Sequence, residues 1–137
     1  PDQGLYMPEL IPELPSSFFE SIDKLSFQEI AFRVADALIG NDIDKNELRR
    51  IVDHTIQFDA PVVKVEENIY SLELFHGPTL AFKDFGARFL SGLLGYFARK
   101  QHQQVNILVA TSGDTGSAVA NGFLGVKGTN VIVLYPS

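Results

Sequence analysis

The sequence contains no cysteine. Disulfides, thiolate metal sites and cysteine nucleophiles are therefore excluded within these residues. Its histidines, His54, His76 and His102, lie far apart and lack the spacing of metal ligands, so we expect no metal site. No apolar run approaches the roughly 20 residues that a membrane-spanning helix needs, and we expect no membrane partner.

Positive charge is also scarce. The chain has 11 lysines and arginines against 17 acidic residues, which gives a formal net charge of −6. A negative chain repels phosphate backbones and anionic headgroups, so we expect neither nucleic acid nor lipid as a partner. The 137 residues, 45% of them hydrophobic and 20% charged, are typical of a globular domain with a core.

The N-terminal part is predicted to be mainly helical. Prolines make residues 1–15 irregular. Ser26 and Glu29 form a capping-box pattern at the start of a helix that Gly40 ends, and Asp44 begins another helix. The first of these helices has apolar residues at helical spacing, which predicts that its buried face consists of Phe27, Ile30, Ala31, Val34 and Leu38.

Beyond a boundary near residue 60, strands alternate with helices. The predicted order is a hairpin or two sequential strands (61–65, 69–75), a helix capped by Asp84 and ending near Gln101, a strand (105–110), a glycine-rich turn, a helix (117–124) and a strand (130–135). A strand-loop-helix-strand unit predicts parallel strands buried on both faces. The fold class is therefore α/β with an incomplete parallel sheet, and we expect the chain to be a piece of a longer protein.

One lysine, Lys83, lies among Leu80, Ala81, Phe82 and Phe85 where a loop becomes a helix. Desolvation disfavours the ammonium form, and a neutral amine forms a Schiff base with an aldehyde. The positive end of the helix dipole acts in the same direction, whereas the carboxylate of the next residue opposes it. Lys83 is therefore a candidate anchor for a carbonyl cofactor. Residue type alone favours the alternative, an ordinary lysine with its amine in water.

The turn Thr111–Gly116 is the second candidate site. It follows a predicted strand and precedes a helix, and N–H groups at a helix start bind anions. In an open α/β sheet, ligands lie at the carboxyl ends of strands, which is where this turn falls. It lacks the Gly-Lys-Ser/Thr ending of a P-loop and the G-x-G-x-x-G spacing of a dinucleotide site. The turn therefore indicates an anion site or, equally, a turn capped by its own side chains.

The two loops together resemble those of the threonine synthase family. The resemblance rests on Leu74–Gly86, with the letters LFHGPTLAFKDFG, and on Ala110–Ala118, with the letters ATSGDTGSA. The opening Pro1–Glu9 and the segment Ile39–Ile43 are also similar to the N-terminal region of that family. The resemblance therefore extends over essentially the whole chain.

The resemblance implies a pyridoxal 5'-phosphate enzyme of fold type II, similar to the tryptophan synthase β subunit, with a three-layer arrangement around a parallel sheet. Such an enzyme converts O-phospho-L-homoserine and water to L-threonine and phosphate, the last step of threonine biosynthesis. Lys83 matches the lysine that holds the cofactor as an aldimine and shuttles the Cα proton. The implied cofactor-binding residues are Lys83, Phe82 and Asp114. The residues implied to bind the substrate carboxylate are Thr111, Ser112, Gly113, Thr115 and Gly116.

The resemblance also implies parts that lie outside these residues. In the family, the loop for the cofactor phosphate and the group facing the pyridine nitrogen come later in the sequence. We therefore expect residues 1–60 to be the N-terminal region and residues 61–137 to be the first part of a truncated cofactor-binding domain. We expect residues 1–137 to be inactive alone, and the whole enzyme to be cytoplasmic. The alternatives are another fold type II lyase, such as a serine/threonine dehydratase-like enzyme, and a non-catalytic homologue that binds a phosphometabolite.

Overall fold

The computed structural model describes residue 4, residues 7–111 and residues 113–135. Its elements are α1 (Ser16–Ser21), a 3-10 turn (Ile22–Lys24), α2 (Phe27–Ile39), α3 (Lys45–Thr55), β1 (Val62–Glu66), β2 (Ile69–Leu72), α4 (Lys83–Lys100), β3 (Val105–Ala110), α5 (Asp114–Gly122) and β4 (Thr129–Leu134). Helices fill the first part of the chain and alternate with strands afterwards. The predicted α/β class and helical N-terminal region are confirmed.

The starts of α2 and α3 follow their predicted capping residues. Ser26 Oγ accepts from the Glu29 N–H at 3.1 Å, and the Asp44 carboxylate caps α3 in the same way. The Glu29 side chain does not complete a capping box. Its carboxylate instead accepts hydrogen bonds from Arg33 at 2.8 Å and Arg49 at 2.7 Å, which hold the pKa of Glu29 below its usual value. Glu29 therefore links α2 to α3.

The core lies between α2, α3 and α4. Its buried members are Phe32, Ala35, Ile43, Leu48, Ile51, Val52 and Ile56, and α4 adds Phe85, Phe89, Leu93 and Tyr96. The predicted buried face of α2 is wrong in part, because Phe27, Val34 and Leu38 are exposed while Phe32 and Ala35 are buried. The helix carries two overlapping apolar stripes, and contact with α3 selects the one that contains Phe32.

Helix α4 approaches α3 closely at Gly92. A Cβ at Gly92 would lie 2.6 Å from Ile51 Cγ2, and Ile51 is a buried core residue with little room to move. Gly86, on the same helix, has no described atom within 4 Å of the position of an added Cβ.

We expect Gly92→Ala to lower the free energy of unfolding by about 1–2 kcal/mol, because overpacking outweighs the helix propensity of alanine. Gly86→Ala is the matched control and should leave the free energy unchanged or raise it by up to about 1 kcal/mol. Urea unfolding followed by circular dichroism measures both. Equal stability of the two variants would contradict the close approach.

Arg88 also joins α4 to the end of α3. Its Nη2 donates to the carbonyl oxygen of His54 and, at 2.5 Å, to Gln57 Oε1. Burial, together with the nearby Arg88 and Arg50 guanidinium groups, lowers the pKa of His54. The start of α4 is therefore anchored to α3 by polar bonds as well as by the apolar core.

The strands form two separate pairs in the part of the chain that the structure describes. β1 and β2 form an antiparallel hairpin, and β2 ends at Leu72, earlier than the predicted Phe75. β3 and β4 are parallel as predicted, with register from Val105↔Thr129 to Ala110↔Leu134.

The prediction that β3 and β4 are buried on both faces is wrong here. Residues alternate along each strand, and Leu108 on the open face is 68% exposed. Helix α5 packs against both strands of this pair, whereas Ile132 and Leu134, like Leu108, remain exposed. The described elements therefore bury only part of the apolar surface of the two strands.

Candidate functional site

Lys83 is the first residue of α4, at the predicted junction between loop and helix. The residue is half-buried, and its Nζ lies 4.4 Å from the centroid of the Phe82 ring. That distance is within the range of a cation–π contact. The long lysine side chain is thus held along an aromatic surface.

Asp84 does not cap α4, and this prediction is wrong. The capping position is Phe82, which makes no side-chain hydrogen bond there. Asp84 is only 1% exposed and accepts two hydrogen bonds from Thr79, one from the backbone N–H at 2.9 Å and one from Oγ1 at 2.6 Å. Because Asp84 already lies in the first helical turn, its carboxylate reaches back into the preceding loop instead of across the helix end.

The backbone of this loop is a tight turn. The Leu80 N–H donates to the Gly77 carbonyl at 3.1 Å. Leu80 has a φ of +57°, in the left-handed region that residues other than glycine rarely adopt. A Cβ on Gly77 would overlap Asp84 Oδ2 and would lie 2.8 Å from Phe58 Cζ. Glycine at position 77 therefore lets the backbone pass directly beside the buried carboxylate.

The second loop is organised by the hydroxyl of Thr111. Thr111 Oγ1 accepts from the Gly113 N–H at 3.1 Å and from the Gly116 N–H at 3.2 Å. Helix α5 therefore begins at Asp114 and not at the predicted Ser117, because Thr111 satisfies a backbone donor of its first turn. A Cβ on Gly116 would overlap Thr111 Cγ2. The predicted site residue Ser112 lies outside the described residues.

The two loops meet at one cavity. Lys83, Phe82 and Thr115 line a cavity of about 690 Å³ between α4 and α5. The remaining lining residues are apolar or glycine: Phe27, Leu74, Phe85, Gly86, Ala87, Leu90, Ala118 and Val119. A small-molecule site typically has a volume of roughly 300–1,000 Å³ and a few polar groups on apolar walls. The cavity fits that description, with one amine and one hydroxyl as its polar groups.

The other described residues of the predicted turn, Thr111, Gly113, Asp114 and Gly116, do not line this cavity. Asp114 is exposed in the first turn of α5, and Gly116 is buried beneath the turn. His76 is not among the lining residues. It bonds Glu73 at 2.8 Å and stacks on Phe75.

The sequence did not predict the pair of hydrogen bonds between Thr79 and Asp84. The only signal for it is an acidic residue in the first turn of the predicted helix, five residues after a threonine. A helix cap and a bond to the loop produce the same pattern in sequence. Their difference lies in the direction of the Asp84 side chain.

Two further kinds of site are absent from the described part of the chain. No group of three histidine, aspartate or glutamate residues there lies close enough to hold a metal ion. None of the described helices combines the length and the apolarity that crossing a bilayer requires.

Comparison with known families points to one kind of enzyme. Residues 1–56 match the family described as the threonine synthase N terminus. The chain is 47% identical over 135 residues to threonine synthase of Haemophilus influenzae, which covers 98% of this chain and 31% of that protein. It is 44% identical to threonine synthase of Escherichia coli, with the same coverage of 98% and 31%.

Solved structures agree with the sequence comparison. Threonine synthase from Escherichia coli matches with a TM-score of 0.87 and 44% identity, covering 98% of this chain and 31% of that one. A threonine synthase from Brucella melitensis, whose structure contains bound pyridoxal phosphate, matches with a TM-score of 0.93 and 33% identity, covering 99% and 30%. The chain thus spans about a third of the length of these relatives. The resemblance noted in the sequence is confirmed.

Proposed function

We propose that this chain, whose first 56 residues belong to the threonine synthase N-terminal family, is the lysine-bearing part of a pyridoxal-phosphate-dependent threonine synthase. The whole enzyme would convert O-phospho-L-homoserine and water to L-threonine and phosphate, the last step of threonine biosynthesis. The observation that carries this proposal is the Lys83 amine on an apolar cavity shared with the start of α5.

The residues present fit the cofactor. Among the described residues that line the cavity, Lys83 has the only charged side chain, so no carboxylate there competes for its amine. Phe82 offers an aromatic surface beside it. When bound, pyridoxal phosphate supplies an electron sink for negative charge on substrate carbons. Lys83 would hold the cofactor covalently and, once displaced by the substrate amine, would move the proton at Cα.

The Thr111–Gly116 turn is proposed to bind the substrate α-carboxylate. Asp114 and Thr115 open α5, where backbone N–H groups have no intrahelical acceptor and the helix dipole is positive. The Thr115 hydroxyl adds a donor, since this residue lines the cavity. Thr111 holds the turn in shape through Gly113 and Gly116. Ser112 belongs to the same proposed set.

Asp114 is proposed to border the cofactor ring. Asp114 is exposed in the first turn of α5, and a carboxylate there would repel a phenolate oxygen, so we assign it a role in orienting the turn. The division at residue 60, the fold type II class of the cofactor domain and a cytoplasmic location are parts of the same proposal. The N-terminal helices support α4 through the shared core, and α4 presents the lysine.

Turnover by the full-length protein tests the proposed function. Supplied with pyridoxal phosphate and O-phospho-L-homoserine, it should release phosphate and L-threonine in equal amounts. L-Serine and L-threonine as sole substrates distinguish a dehydratase, which would release ammonia and a 2-oxo acid. Residues 1–137 alone should form no threonine. Failure of the cofactor-loaded full-length protein to release phosphate would refute the proposal.

A further inference from the structure

We propose that Thr79 and Asp84 form a clamp that positions Lys83 for bonding to its cofactor and keeps the neighbouring carboxylate away from the amine. This inference rests on the proposed function of Lys83. We call the two residues the Thr79–Asp84 clamp. Neither of them lines the cavity, so they act as positioning residues.

The clamp uses both oxygens of one buried carboxylate. Asp84 Oδ2 accepts from the Thr79 backbone N–H, and Asp84 Oδ1 accepts from the Thr79 hydroxyl. Burial of a carboxylate is costly unless its oxygens are hydrogen-bonded, and bonds to a charged acceptor are stronger than those between neutral groups. The position of Asp84 is therefore closely coupled to that of Thr79.

The backbone around the clamp has a conformation that the clamp stabilises. Gly77 lies so close to Asp84 that a side chain there would overlap its Oδ2. Leu80 stands in the left-handed region, and its side chain is turned into solvent, so burial of that side chain does not explain the strain. The two hydrogen bonds across the loop offer the compensating stabilisation.

The clamp fixes Lys83 because Lys83 and Asp84 are neighbours on α4. Successive side chains on an α-helix point about 100° apart, so burying Asp84 directs Lys83 to a different side of α4. That side is the cavity wall. Among the described residues, Lys83 takes part in none of the ion pairs, although a carboxylate is adjacent in sequence. Asp84 is occupied by Thr79, and the amine remains available to an aldehyde.

The bond-forming step is a condensation. The Lys83 Nζ lone pair attacks the aldehyde carbon, a carbon–nitrogen double bond forms, and the aldehyde oxygen leaves as water. Added borohydride then supplies hydride to that double bond and leaves a stable secondary amine on Lys83. The labelled peptide reports attachment by mass spectrometry and does not depend on turnover.

Two substitutions at Thr79 in the full-length protein test the clamp. Thr79→Val keeps the shape of the side chain but removes the hydroxyl, whereas Thr79→Ser keeps the hydroxyl. We expect pyridoxal phosphate to attach to Thr79→Val at least about tenfold more slowly, the scale of one lost bond to a charged group. Thr79→Ser should stay within about twofold of the unsubstituted protein.

Pyridoxamine phosphate separates positioning from general damage, because it has no aldehyde and binds without the lysine bond. Its affinity, measured by fluorescence titration, should be unchanged in Thr79→Val. Equal attachment rates in both Thr79 variants and the unsubstituted protein would overturn the clamp. A matching loss of pyridoxamine phosphate affinity would also overturn it, since Thr79 would then shape the site as a whole. No trapped label on Lys83 in the unsubstituted protein would instead refute the proposed function.

Discussion

Lys83→Ala in the full-length protein is expected to abolish covalent attachment of pyridoxal phosphate at α4. We also expect threonine formation to fall by roughly 10³-fold or more, because the variant loses both the covalent anchor and the group that moves the Cα proton. The measurements are borohydride trapping followed by peptide mass spectrometry, and phosphate release from O-phospho-L-homoserine. The structural reason is that no other described lining residue of the cavity carries an amine.

Two further variants make the Lys83 result specific. Lys83→Arg keeps a positive charge that can lie over Phe82, but its guanidinium does not condense with the aldehyde, so it should be as inactive as Lys83→Ala. Lys100→Ala removes an exposed lysine at the opposite end of the same helix and should behave like the unsubstituted protein. Attachment at an undiminished rate in Lys83→Ala would show that another lysine is the anchor.

Local signals were sufficient wherever one residue decides the local structure. Ser26 and Asp44 accept the N–H bonds that their positions at helix starts predict. The strand-turn-helix-strand order gave a parallel pair because a helical crossover leaves little alternative. Lys83 likewise lies at the loop-to-helix junction that its neighbours indicate. The two caps and the helix start depend on contacts within a few residues, whereas the parallel pair follows from the order of its elements along the chain.

The errors occur where the sequence allows a side chain or a helix face to make either of two contacts. α2 has two apolar stripes, and packing on α3 buries Phe32 in preference to Val34. Asp84 is suited both to capping a helix and to bonding a loop, and the close approach of Gly77 favours the second. α5 starts early because the Thr111 hydroxyl reaches its first turn. Packing between helices decides the first case, whereas hydrogen bonds between residues five positions apart decide the other two.

Leu48→Ala should give the largest loss of stability, about 3–5 kcal/mol in the free energy of unfolding, the scale of leucine-to-alanine changes in a tight core. Leu48 is fully buried in the cluster between α2, α3 and α4. Phe89 and Leu93 of α4 pack against that cluster, so a cavity there removes support from the helix that begins with Lys83. Urea unfolding of the full-length protein measures the change.

Leu48→Ala should lower the free energy of unfolding without slowing attachment of the cofactor to Lys83. Under conditions where Leu48→Ala remains folded, trapping at Lys83 should occur within about threefold of the unsubstituted protein, because the Thr79–Asp84 clamp is intact and lies outside the core cluster. Leu48→Met, which conserves volume, should cost less than about 1.5 kcal/mol and serves as the matched control. If trapping instead fell in step with stability, the lysine would be positioned by the helical core and not by its own loop. The two variants, at Leu48 and at Thr79, thus assign the orientation of one amine either to core packing or to two hydrogen bonds.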